Sequence, residues 1–115
     1  MPLTTSLKDA VAALERGLGL SDATLASAIG VDPRSLGRWR EGETFPQRAA
    51  RGQLDDLLAL VDRLSATFDN IDTARMWMRT DNRYLGHIKP AEALAAGRID
   101  RVTAALDAFD AGLFI

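Results

Sequence analysis

Apolar residues recur at spacings of three and four along nearly the whole chain, and no stretch of five or more alternates strictly between apolar and polar. The first pattern collects side chains on one face of a helix, and the second is what a half-buried strand requires, so the chain is expected to be all-α. Ser6 can cap a first helix faced by Leu7, Ala10, Val11 and Leu14, with Gly17 as its left-handed stop. Ser21 caps a second, faced by Leu25, Ala26 and Ile29 and ended by Gly30. Asp32-Pro33 opens a third that runs through Leu36 and Trp39 to Gly42, since proline at the first helical position sacrifices no hydrogen bond.

Residues 43–50 lack periodicity and read as a connector, which divides the chain into expected domains 1–50 and 51–115. Beyond it Leu54, Leu57, Leu58, Val61, Leu64 and Phe68 form the strongest helical stripe in the sequence. Asp72 is expected to cap a short helix with Met76 and Trp77, followed by a polar link at Thr80-Asp81-Asn82. Pro90 starts another helix that Gly97 ends, and Ile99, Val102, Leu106 and Phe109 line the last, closed by Gly112. Leu113-Phe114-Ile115 then follow as an apolar tail outside any helix, where chain ends are normally polar, and are expected to dock either on the protein's own core or in a partner.

A chain of 115 residues is one domain, or two small helical halves sharing a core, and its 47% hydrophobic content supports a core without staples. With no cysteine, disulfides, Cys-ligated zinc and thiol nucleophiles are excluded. The N-terminus shows no basic segment followed by an apolar one, and no run reaches membrane-spanning length, so a soluble cytoplasmic chain with no membrane partner is expected. The net charge of −2 argues against binding nucleic acid by bulk charge, but its distribution is uneven. Residues 34–51 hold five arginines against two glutamates, and residues 52–115 hold seven bases against ten acids, which points to two surfaces with different partners.

The second and third helices pose the question of a DNA-reading motif. A helix-turn-helix needs a small residue where its helices cross, a glycine at the turn and apolar residues inside the second helix, and Ala26, Gly30, Leu36 and Trp39 stand in that register. The outer face of the third helix then shows Arg34, Ser35 and Arg38 to a major groove, with Arg40, Arg48 and Arg51 where phosphates would pass. Gly37 in the middle of this helix costs it about 1 kcal/mol relative to alanine.

The second half offers no catalytic constellation. His87 stands without a second ligand nearby and reads as a capping or surface residue, and Asp55 with Asp56, and Asp69 with Asp72, are spaced as solvated faces and caps. No enzyme activity, metal or cofactor is expected.

Trp77-Met78, Asn82, Leu85-Gly86, Pro90, Leu94, Gly97, Val102 and the terminal Asp107 to Gly112-Leu113-Phe114 together resemble the toxin-binding domain of the Xre/MbcA/ParS antitoxin family. Pro33-Arg34-Ser35-Leu36, Arg38-Trp39, Gly42 and Pro46 are similar to that family's degenerate Xre-type helix-turn-helix, so the resemblance spans roughly residues 17–115. It implies an antitoxin encoded beside a RES-domain toxin that consumes NAD, neutralised when the C-terminal domain packs over it and blocks its active-site cleft. Toxin contacts are then expected at Trp77, Asn82, Arg83, Leu113, Phe114 and Ile115, and DNA contacts at Arg34, Ser35, Arg38 and Arg40. Such antitoxins commonly pair into homodimers or larger toxin–antitoxin hetero-oligomers, and repression of their own promoter is a second implied role. A stand-alone helix-turn-helix regulator whose C-terminal half dimerises or senses a ligand is the competing reading.

Overall fold

The computed structural model describes residues 6–112. Seven α-helices run Leu7–Leu18 (α1), Asp22–Ile29 (α2), Pro33–Arg40 (α3), Arg48–Thr67 (α4), Ile71–Met78 (α5), Pro90–Ala95 (α6) and Ile99–Asp110 (α7). A single 3₁₀ turn over Arg83–Leu85 lies between α5 and α6. The described residues contain no strand, only an isolated bridge between Asn82 and Ile88.

Local chemistry starts and stops these helices much as its residue types dictate. Ser6 and Ser21 accept from the backbone N–H groups of Asp9 and Thr24 at 3.1 and 3.2 Å, and Asp32 caps α3 by accepting from the Arg34 N–H at 2.8 Å. Two signals fall elsewhere than expected. Gly17 does not stop α1, which continues to Leu18 and ends on Gly19 at φ 64°. Gly17 serves packing instead: a Cβ there would lie 2.7 Å from Val61 Cγ1, so glycine is what lets α1 approach α4. Asp72 is likewise not the cap of α5; Asn70 is, accepting from the Asp72 N–H at 2.7 Å.

The helices enclose one core. Val11, Leu14 and Leu18 of α1, Leu25 of α2, Leu36 and Trp39 of α3, Leu54 and Leu57 of α4, Met78 of α5, Leu94 of α6 and Leu106 of α7 belong to a single buried cluster. α1 packs on α4, α3 and α5, while α2 packs on both α3 and α6, so the first three helices are built into the same interior as the last three. α4 runs unbroken across residues 50 and 51. Polar ties join the same elements: the Ser27 hydroxyl donates to the Ala95 carbonyl at 2.6 Å, and the Arg75 guanidinium donates to the Arg16 carbonyl, which is left over at the C-terminal turn of α1.

Gly17→Ala is expected to lower stability although alanine is the better helix former. Overpacking typically costs 1–3 kcal/mol, against roughly 1 kcal/mol gained over glycine in a helix. Urea denaturation checks this, and Val61→Ala in the same chain should recover the loss.

Candidate functional site

The segment after α5 is shaped by competition for backbone partners. The last turn of α5 tightens as Thr80 donates twice, its N–H to the Trp77 carbonyl and its hydroxyl to the Met76 carbonyl at 2.6 Å. The chain then closes on itself, with the Asn82 N–H donating to the Ile88 carbonyl at 2.9 Å and the His87 N–H to the Asn82 carbonyl at 2.9 Å. His87, exposed at φ 70°, completes this tight loop in a left-handed conformation uncommon for a residue with a Cβ. Leu85, 3% exposed, pins the loop to the core beside α7.

This construction leaves an open cleft of about 240 Å³ between the end of α5, the loop and α7. Trp77, Asn82 and Arg83, widely different in character, all line it, together with Tyr84, Ala105 and Phe109. Phe68 at the end of α4 ties the aromatic wall together, with ring centroids 5.9 Å from Trp77 and 5.2 Å from Phe109 in tilted geometry. Phe109 is 43% exposed, so the last helix turns this ring outward rather than into the core position its periodicity suggests. Asp81 and Arg83 stand on either side of Asn82, and neither is in an ion pair among the described residues. An aromatic wall with unspent charges at its rim can hold a partner's side chains by burial and charged hydrogen bonds.

Of the residues expected to meet a toxin, Leu113, Phe114 and Ile115 lie outside the described residues. Tyr84, Phe109 and Phe68 were not singled out for the cleft by sequence reasoning. An aromatic residue at the end of a helical stripe carries no sign of whether its ring faces in or out. Among the described residues, no three His, Asp or Glu side chains gather where they could hold a metal ion.

A second candidate surface lies on α3. Ala26 is fully buried where α2 meets α3, Gly30 turns the chain at φ 89°, and Leu36 and Trp39 point inward at 0% and 4% exposure. Arg34, Ser35 and Arg38 are left on the other side. The Arg34 guanidinium folds back onto Asp32, Nε to Oδ1 at 3.1 Å, and this hydrogen bond with the helix cap holds the Asp32 carboxyl below its ordinary range. Arg40 is placed differently. It reaches back to Glu15 at 2.6 Å and Asp22 at 2.7 Å, tying the end of α3 to α1 and α2. Arg51 pairs with Asp55 at 3.5 Å.

The Arg40 hydrogen bond holds the Asp22 carboxyl below its ordinary value of 3.8. A depressed folded-state value contributes stability above the unfolded value and loses it as pH falls through the folded one. The Asp22→Asn chain is therefore expected to lose less of its melting temperature than the wild type below pH 3.8, as thermal melts across that range would show.

The family described as the antitoxin Xre/MbcA/ParS C-terminal toxin-binding domain matches residues 63–112, the stretch that builds the cleft. Over 103 residues the chain is 37% identical to the mycobacterial cidal antitoxin MbcA of Mycobacterium tuberculosis, covering 90% of this chain and 89% of that protein. The chain belongs to the Xre/MbcA/ParS antitoxin family. A second relative from the same organism, a probable mycobacterial cidal antitoxin, is 31% identical over 98 residues, 84% of this chain and 82% of its own. Among solved structures, the crystal structure of the M. tuberculosis MbcT–MbcA toxin–antitoxin complex contains a chain that superposes with a TM-score of 0.71 at 33% identity. That match covers 97% of this chain and 100% of the other. As a member of the Xre/MbcA/ParS family the protein is an antitoxin of a toxin–antitoxin system and not an enzyme. Among the described residues no helix is long and apolar enough to cross a membrane.

Proposed function

We propose that this antitoxin neutralises a cognate toxin in the cytoplasm by laying the cleft between α5, the 3₁₀ loop and α7 against it. The observation that carries this reading is the convergence of Trp77, Asn82 and Arg83 on one open cleft inside the segment that matches the toxin-binding domain. Trp77 and Phe109 supply apolar area, Asn82 and Arg83 the hydrogen bonds that orient the partner, and Leu113, Phe114 and Ile115 are further toxin contacts. The toxin is of the RES type and consumes NAD, and docking blocks its active-site cleft. Homodimers, alone or within a toxin–antitoxin hetero-oligomer, are the working form.

A second role is supported by the α2–turn–α3 arrangement, which buries Ala26, Leu36 and Trp39 and leaves Arg34, Ser35 and Arg38 outward. Domain 1–50 is then a helix-turn-helix that represses the antitoxin's own promoter, with Arg40 positioning α3, and domain 51–115 is the toxin-binding part. Family membership favours this combined reading over a stand-alone regulator.

Co-expression tests the proposal. The toxin encoded beside this chain should arrest growth and deplete cellular NAD, and the full-length chain should restore both. A neighbouring toxin left fully active by equimolar wild-type chain would refute the assignment, and arrest without NAD loss would refute the toxin's chemistry.

A further inference from the structure

We infer that Arg63, near the end of α4, is a positioning residue for toxin binding: it clamps the last turn of α7 and thereby sets where Phe109 stands in the cleft. The inference rests on the cleft reading above and deepens it, because Arg63 does not itself line that cleft.

The last turn of α7 is built against its own electrostatics. Asp107 and Asp110 both fall in it, and no basic residue does. The unsatisfied carbonyls of a helix C-terminus already carry partial negative charge, and carboxylates three residues apart share a face, so each acid opposes the turn and repels the other. Packing helps little here: Leu106 is the last large side chain of α7 to be buried, and beyond it only Ala108 is, among the described residues. A helix end of this kind frays unless something outside it answers the charge.

Arg63 supplies that answer. Its Nη2 donates to Asp107 Oδ1 at 2.7 Å and to Asp110 Oδ2 at 2.9 Å, so one guanidinium holds both carboxylates. The Thr67 hydroxyl, one turn further along α4, donates to Asp110 Oδ2 at 3.3 Å. Phe68 follows Thr67 directly and brings its ring centroid to 5.2 Å from that of Phe109. The end of α4 thus grips the end of α7 twice, by charge and by an aromatic contact. Phe109 is one residue, about 100° round the helix, from Asp110, so a roll or fraying of this turn moves the ring and the carboxylates together. The three charged side chains keep 31% to 65% of their surface exposed, and pairs so exposed add little to global stability. What the clamp fixes is direction: a ring already aimed into the cleft needs less ordering when the toxin arrives.

Amide hydrogen exchange of the free full-length chain, beside calorimetric titration with the toxin encoded next to it, tests this. The Ala111 and Gly112 N–H groups donate to the Asp107 and Phe109 carbonyls and report on the turn. In Arg63→Gln both should exchange faster than in the wild type while the melting temperature stays nearly the same, and toxin should bind about 10-fold more weakly. Arg63→Lys, which keeps the charge but not the planar fork, should fall between the two. In a Phe109→Ala background the Arg63→Gln change should cost almost nothing further, because the ring it positions is gone. Additive losses would make Arg63 a toxin contact in its own right and overturn the positioning role, as would weaker binding with unchanged exchange. A wild type that binds toxin while Arg63→Gln binds it equally well would overturn the role and leave the cleft reading standing. A wild type that fails to bind toxin would overturn both.

Discussion

Trp77→Ala should weaken toxin binding by roughly 2–4 kcal/mol, the range of a central aromatic anchor, which corresponds to about 30-fold to 1,000-fold in Kd. The indole is half-buried against Phe68 and walls the cleft, so truncation removes its contact area and one of the two rings that pack on Phe68. Because part of the ring is already covered in the free protein, a folding cost of about 1–2 kcal/mol accompanies the change, and binding must be measured where the variant is fully folded. Isothermal titration of toxin into wild type, Trp77→Ala, Phe109→Ala and the double variant gives the coupling between the two rings. The sequence holds only two tryptophans and Trp39 is buried at 4% exposure, so a change in Trp77 emission on adding toxin, absent in Trp77→Phe, offers an independent readout. Toxin affinity untouched by Trp77→Ala would remove the cleft from the interface.

How much of this was legible beforehand depends on the physical range of each signal. Caps and stops act within one turn, so Ser21, Asp32-Pro33, Gly30 and Pro90 place their helix ends from local chemistry alone. Gly17 misled because glycine serves two purposes, left-handed backbone and close approach, and only the position of Val61 tells which one operates. The connector is shorter than the missing periodicity of residues 43–50 predicts, because Arg48, Ala49 and Ala50 are helical in α4 although its apolar stripe begins only at Leu54. The cleft was visible in part. Trp77, Asn82 and Arg83 stand close together in sequence, from the last turn of α5 to the 3₁₀ turn, whereas Phe109 reaches the cleft, with Phe68 behind it, through tertiary packing that no local pattern encodes. Arg40 shows the same limit, since its partners Glu15 and Asp22 come from two other helices.

The α3 helix allows its two faces to be separated, and its inner face carries the larger effect on stability. Trp39→Ala empties a site that is 4% exposed and should cost about 3–5 kcal/mol, a large share of the 5–15 kcal/mol that holds a typical domain together. Because Trp39 belongs to the same buried cluster as Leu94 and Leu106, the loss should lower one cooperative transition of the whole chain, by about 10 °C or more. Arg38→Ala on the outer face has no ion pair to lose among the described residues and should melt with the wild type. If α3 reads bases, that same change should weaken binding to the upstream promoter fragment by about 1–3 kcal/mol. Arg34→Ala should weaken it similarly, although it also frees the Asp32 carboxylate to cap α3 alone. Calorimetry and gel-shift titration of the three variants therefore sort packing from recognition on one eight-residue helix. Two resolved transitions in Trp39→Ala, with the later one at the wild-type temperature, would show that the N-terminal helices fold apart from the toxin-binding half, against the continuous core seen here.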